Sequence, residues 1–189
     1  GRRRRHVVER NDKEIASFAK VLLSEGLELQ EVARDGNCFF RALCDQCEGH
    51  EHDHEKYRLR VMEHVEAHED DFIPFFTFGE DEESEDKDFE AYIDRLKSDS
   101  EWAGQVELIA AAQALCVHIV VHQYERPSYR IDCPTHPTTK DIHLSYHDGE
   151  HYNSVRPLRK AGGKPVKPSG SSFAVLDEMP EIAEEEEEE

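Results

Sequence analysis

A change of period near residue 116 limits most strictly what this chain can fold into. Upstream, apolar side chains recur at helical spacing; from Val117 to Val155 they alternate. The first pattern paints one face of a helix, the second one face of a strand. Ile15, Phe18, Ala19 and Leu22 share a face in a helix predicted over 11–25, opened by a capping box of Asn11 and Glu14 and stopped at Gly26. Residues 27–32 read as a short extended entry to a turn at Asp35. Further helices are predicted over 38–48, ended by Gly49, over 54–69, around Phe89, Tyr92, Ile93 and Leu96, and over 107–115. Strands are predicted over 117–123, 129–132, 142–146 and 152–155, separated by Pro and Gly turns, with 117–123 central. Helices first and strands later make an α+β domain, a helical side packed on a small sheet, over 11–158.

The flanks read differently. Arg2–Arg5 form a basic run, taken as part of a solvated tail over 1–10 rather than a nuclear signal. Residues 159–189 are rich in Gly, Pro, Ser and Lys and close on Glu184–Glu189, the composition of a disordered tail. Within it, Phe173, Val175 and Leu176 read as linker rather than docking motif. Residues 80–88 carry seven acids against Lys87 and are expected to be a mobile, solvated loop. The net charge of −20 excludes nucleic acid as a main partner, because phosphate binding needs a cationic face; a basic protein partner suits it better. No stretch is apolar enough to span a bilayer, so no membrane partner is expected, and no signal-peptide core is present. The chain opens on Gly1 rather than Met, which reads as a fragment. Five cysteines, an odd number at loose spacing, argue against a disulfide framework and for a reducing cytosol or nucleus.

Chemistry concentrates at Asp35-Gly36-Asn37-Cys38, followed by Phe39-Phe40-Arg41-Ala42. A polar turn there delivers a cysteine to the first turn of an apolar helix, where the helix dipole and unpaired N–H groups favour thiolate. A nucleophilic thiol needs a base, and the base needs a group that holds its tautomer. His151-Tyr152-Asn153 supplies both: in a strand His151 and Asn153 face the same side. The pattern is Cys-His-Asn, nucleophile early and base late.

These two stretches resemble the signature motifs of the ovarian-tumour (OTU) deubiquitinases, and Trp102-Ala103-Gly104 with Glu107-Leu108 resembles the motif between them. The resemblance runs from about Leu27 to Leu158, and the motifs read most like the branch that holds OTU domain-containing protein 3. It implies a papain-like OTU cysteine protease fold, with the sheet packed between helices, and a thiol isopeptidase acting on ubiquitin and polyubiquitin chains as a monomer, without metal or organic cofactor. Carried over, Cys38 is the nucleophile and His151 the general base and acid. Asn153 orients His151, and Asp35 is counted as catalytic in many descriptions of the family. Asp35, Gly36, Asn37 and Cys38 form the oxyanion hole, and Trp102, Ala103 and Gly104 line the channel for the substrate tail. On physical grounds Asp35 is better placed to fix the turn than to touch His151.

Other readings stand beside this one. The chain could bind ubiquitin as a scaffold without turnover, or process another ubiquitin-like modifier such as NEDD8 or SUMO. Cys44-Asp45-Gln46-Cys47, with His50, His52 and His54 close behind, invites zinc, but the pair lies inside one helix with no second CxxC, so Cys44 is read as core, Cys47 as partly exposed and the histidines as a solvated helix entry. Cys116 reads as packed and Cys133 as a loop cysteine. Trp102 is divided evenly between core anchor and substrate contact.

Overall fold

The computed structural model describes residues 2–76, 86–134, 140–147, 149–159 and 174–175, of which 2–12 and 174–175 by backbone alone. It is an α+β domain, as the change of period requires. Helix α1 (Arg2–Ser24) leads into strand β1 (Leu27–Gln30), then α2 (Cys38–Glu48), α3 (His54–Ala67), the short α4 (Glu69–Phe72), α5 (Phe89–Lys97) and α6 (Gln105–Leu115). The strands β2 (His118–Gln123), β3 (Arg126–Ile131), β4 (Asp141–His147), β5 (His151–Pro157) and β6 (Ala174–Val175) follow. The sheet order is β1-β5-β4-β2-β3-β6, so β2 is interior, as expected. β2 and β4 run parallel, as do β3 and β6; the other neighbours are antiparallel.

Helices cover both faces. On one, Phe39, Phe40, Leu43, Val61, Met62 and Leu108 from α2, α3 and α6 close over Ile119, Val121, Ile142 and Leu144. On the other, Phe18 and Leu22 of α1 pack on Leu27 and Val155. Residues 151–155 of β5 are therefore buried on both sides. Gln46 of α2 ties the layers together: its Nε2 donates to Ser154 Oγ (2.7 Å) and to the Val155 carbonyl (2.8 Å), while its Oε1 accepts from His143 N–H (2.8 Å). α2 ends at Gly49, whose φ of 79° is the left-handed turn that glycine takes without strain.

Two boundaries differ from expectation. α1 does not start at Asn11; it is helical from Arg2, so Asn11 sits mid-helix rather than at its start. The N–H groups that a cap would satisfy are bonded instead to carbonyls one turn upstream. The basic run thus belongs to this helix. In the C-terminal tail, Ala174 and Val175 pair with Tyr129 and Arg130, so that dipeptide is a strand rather than linker. Most of the acidic loop and the remainder of the tail lie outside the described residues; Asp86 lies within them and pairs with Arg95 (2.6 Å). No helix among the described residues is long and apolar enough to cross a membrane.

Candidate active site

Cys38 is the first residue of α2, and the turn before it is bonded on all sides. Asp35 Oδ1 accepts the Asn37 N–H (2.9 Å), and the Asp35 carbonyl accepts the Cys38 N–H at a longer 3.2 Å. The Asp35 carboxylate is also gripped by Arg41, from Nη2 at 2.8 Å and Nε at 3.1 Å. Burial pushes that carboxyl up, but the bonds from Arg41 and Asn37 prevail and hold it below its ordinary value. Asp35 therefore faces Arg41 and its own turn. Asn37 is buried; its Oδ1 accepts from Ser100 N–H (3.0 Å) and its Nδ2 donates to Asp99 (2.9 Å), which fastens the turn to the 99–101 segment. Gly36 is required by this packing: a Cβ there would lie 1.5 Å from the Ser100 carbonyl oxygen.

β5 brings the base. His151 Nε2 lies 2.9 Å from Asn153 Oδ1, the juxtaposition that strand alternation predicts. The same Oδ1 is 3.0 Å from the Val32 N–H. A backbone N–H can only donate, so the amide atom facing it is the oxygen. That oxygen must then receive a proton from His151, which assigns the hydrogen to Nε2 and leaves Nδ1 as the basic nitrogen of the neutral ring. The Cys38 sulfur is met by the N–H of Tyr152, the residue between His151 and Asn153. Cys38 is only 3% exposed. Burial pushes its thiol up; the amides of Tyr152, Phe39 and Cys38 itself pull it down, and the charge of Asp35 pushes it up again, for a net rise. The thiol thus needs a base to ionise near neutrality, and one stands on the adjoining strand.

Trp102 is 51% exposed, which removes it from the core and corrects the half of the reading that made it an anchor. Its stretch is held by the buried Glu107, which accepts the Gly104 N–H (2.6 Å) on one oxygen and the Tyr92 hydroxyl on the other. His54 also departs from expectation: it is 7% exposed, not a solvated entry, and burial pushes its ring toward the neutral form. Cys44 is buried and Cys47 half-buried, as read; Cys133 is buried while Cys116 is half-buried at the cap of α6. Cys44, Glu48 and His50 bring possible ligand atoms within 4.8 Å of one another, an approach the sequence reading discounted. Glu48 is already neutralised by Lys56 Nζ (2.6 Å) and bonded to the Tyr57 hydroxyl (2.9 Å), a poor starting point for a cation. Arg58 was missed altogether. Its guanidinium is buried beneath the Cys38 turn, and the one available signal was its place on the apolar face of α3 between Tyr57 and Val61.

A model of the family described as OTU-like cysteine protease matches residues 33–152. The ovarian tumor domain-containing deubiquitinating enzyme 7 of Arabidopsis thaliana is 39% identical over 163 residues, covering 86% of this chain and 42% of that protein. OTU domain-containing protein 3 of Mus musculus is 35% identical over 155 residues, covering 82% and 37%. The chain thus spans about two fifths of the length of these relatives. Among solved structures, the OTU domain of OTUD1 superposes with a TM-score of 0.66 at 24% identity over 75% of this chain and 93% of that one, which speaks for the papain-like OTU fold. The Hazara virus OTU bound to ubiquitin gives 0.53 at 19% identity over 71% and 83%. The matched segment runs from the turn before Cys38 into the strand that bears His151, and with it this chain belongs to the family of OTU-like cysteine proteases.

Proposed function

We propose that the protein is a thiol-dependent deubiquitinase that hydrolyses isopeptide bonds after the C-terminal glycine of ubiquitin. The observation that carries this reading is the double use of Asn153 Oδ1, by Val32 N–H and by His151. It supports a His151 whose neutral ring keeps a basic nitrogen, next along the strand to the Tyr152 amide that meets a thiol in need of a base. The names of the relatives, deubiquitinating enzymes among them, and the ubiquitin bound to a fold neighbour support the substrate class.

In this mechanism His151 takes the Cys38 proton and the thiolate attacks the glycine carbonyl. The Asn37 N–H is committed to Asp35, so the developing oxyanion draws on the amides of Gly36 and Cys38, the latter giving up its long bond to the Asp35 carbonyl. Loss of one such donor costs about 10²–10³ in rate. The imidazolium protonates the departing lysine amine, and water activated by His151 then cleaves the thioester. Trp102, Ala103 and Gly104 border the path of the ubiquitin tail. A thiol nucleophile and free cysteines suit the reducing cytosol or nucleus.

The test is a ubiquitin probe bearing a C-terminal electrophile. Covalent labelling and turnover, both lost in Cys38→Ala, are expected; tight binding without labelling would instead establish a non-catalytic ubiquitin scaffold. Parallel fluorogenic substrates of ubiquitin, NEDD8 and SUMO decide the modifier, and ubiquitin is expected to be cleaved fastest.

A further inference from the structure

Arg58, in the second turn of α3, is 2% exposed, and its guanidinium reaches acceptors on three separate segments. Nη1 donates to the Leu96 carbonyl at the end of α5 (2.8 Å). Nη2 donates to the Glu101 carbonyl (2.8 Å), to Asn37 Oδ1 (2.7 Å) and to the Gly36 carbonyl (3.1 Å). The guanidinium lies over the Phe40 ring, 4.3 Å from its centroid. Its Nε is buried without a partner among the described residues. None of the four acceptors is a carboxylate. A cation taken out of water, lacking a direct ion pair and leaving one donor unmet, is a costly way to fill space that a leucine could occupy. What a rigid planar fork does here, and a leucine cannot, is fix three backbone segments at set angles to one another.

Two of the four acceptors belong to the turn before Cys38. In a trans peptide the C=O and N–H point in opposite directions. With the Gly36 carbonyl held inward on Arg58, the peptide between Gly36 and Asn37 cannot flip. A flip would turn the Gly36 carbonyl oxygen against the Asp35 carboxylate in place of the Asn37 N–H that the carboxylate now accepts, and would distort the turn that carries the Gly36 and Cys38 amides. Asn37 Oδ1 meets Ser100 N–H and Arg58 together, so the same guanidinium also sets how closely the 99–101 segment presses on Gly36.

We propose that Arg58 is a positioning residue of the reaction: it holds the Asp35–Cys38 turn in the shape that receives the oxyanion, without touching substrate. The proposal rests on the reading of Cys38 as nucleophile. It separates two properties of the site. The reactivity of the thiol depends on His151 and on burial, whereas stabilisation of an oxyanion depends on the turn.

Arg58→Met keeps the length and loses every donor. It is expected to lower kcat on a fluorogenic ubiquitin substrate by about 10²-fold, the size of one lost oxyanion donor, with KM little changed. Alkylation of Cys38 by iodoacetamide develops no oxyanion and is expected to proceed at the wild-type rate. Arg58→Lys, which restores a cation but not the fork, should recover part of kcat. An unchanged kcat in folded Arg58→Met, or a parallel fall in turnover and alkylation, would overturn the proposal. If Arg58→Met shows no cooperative unfolding transition, Asn37→Ala carries the same test by cutting one arm of the clamp: kcat is expected to fall with alkylation intact, and no fall, or a parallel one, counts against the proposal. Cys38→Ala is run alongside. Turnover surviving in Cys38→Ala defeats the reading of the nucleophile and this proposal with it, while Cys38-dependent turnover indifferent to Arg58 defeats this proposal alone.

Discussion

Asn153 and Asp35 are the two side chains with a claim to stand third beside Cys38 and His151, and their partners separate them. Asn153 Oδ1 is shared by His151 and the Val32 N–H; Asp35 is shared by Arg41 and the Asn37 N–H. Asn153→Ala removes the group that sets the His151 tautomer and strands a buried N–H. It is expected to lower kcat by about 10²-fold, toward the lower end of what a displaced general base costs, and stability by about 1–3 kcal/mol. Asp35→Asn keeps an acceptor for Asn37 and loses only a partly exposed ion pair, so its effect on kcat should be smaller. Steady-state kinetics of the two variants decide the matter, and the reverse order would move Asp35 into the triad. The charge on Asp35 has a second consequence. It is one of the two influences that raise the Cys38 thiol, the larger being burial. A raised thiol yields its thiolate at higher pH, so kcat/KM should climb from acid through neutral pH into the alkaline range, the midpoint belonging to the Cys38–His151 pair. Removing the negative charge in Asp35→Asn should move that rise to lower pH. A pH profile of kcat/KM for both proteins checks the sign, and a shift to higher pH would contradict it.

At the scale of elements, the pieces that the sequence revealed are those whose evidence is local. Alternation along β5 placed His151 and Asn153 on one face because a strand's pleat repeats every two residues whatever its neighbours. The start of α2 was legible from a polar turn running into Phe39 and Phe40. What joins the two was not legible. Gln46 lies in a helix and bonds across to β4 and β5; Arg58 sits in α3 but bonds to the turn before Cys38; Ser100 presses on Gly36 across more than sixty residues of chain. None of these partners has a fixed sequence offset, so no periodicity could announce them. The start of α1 was misplaced because Asn11 and Glu14 have the right spacing for a cap, and spacing alone does not show whether the helix already exists upstream. Gly36 is the sharpest test of the non-local part. Gly36→Ala sets a methyl 1.5 Å from the Ser100 oxygen, and the obstacle is the Ser100 backbone rather than a side chain that could swing away. The 99–101 segment must move. A loss of about 1–3 kcal/mol or more is expected by denaturant unfolding, together with most of the activity. An alanine variant that kept wild-type stability would mean that the two segments are not pressed together in solution.

At the scale of the whole molecule, the family match and the folding unit do not coincide. The match covers 33–152, yet β5 runs to Pro157, pairs along its outer edge with β1, and is roofed by α1. Val155, two residues beyond Asn153, is fully buried between Phe18, Leu22 and Leu27. The strand that orients His151 is thus held from outside the matched segment: Leu29 faces Val155 across the β1–β5 ladder, and Leu158 N–H reaches back to the Gly26 carbonyl (2.8 Å). Without β1, β5 becomes an edge strand with unpaired backbone groups; without α1, an apolar face of the sheet meets water. Burial of a large side chain such as Phe18 contributes on the scale of the whole molecule's marginal stability, and Phe18→Ala alone should cost about 3–5 kcal/mol. A fragment spanning only 33–153, the matched segment and one residue more, is therefore expected to lack a cooperative thermal transition and to leave a ubiquitin electrophile unlabelled, although it contains Cys38, His151 and Asn153. The fragment 13–159, which retains the described side chains of α1, β1 and all of β5, should unfold cooperatively and label. If 33–153 labels as fast as 13–159, the orientation of His151 does not depend on the roof over β5, and the second hydrophobic cluster is a matter of stability alone.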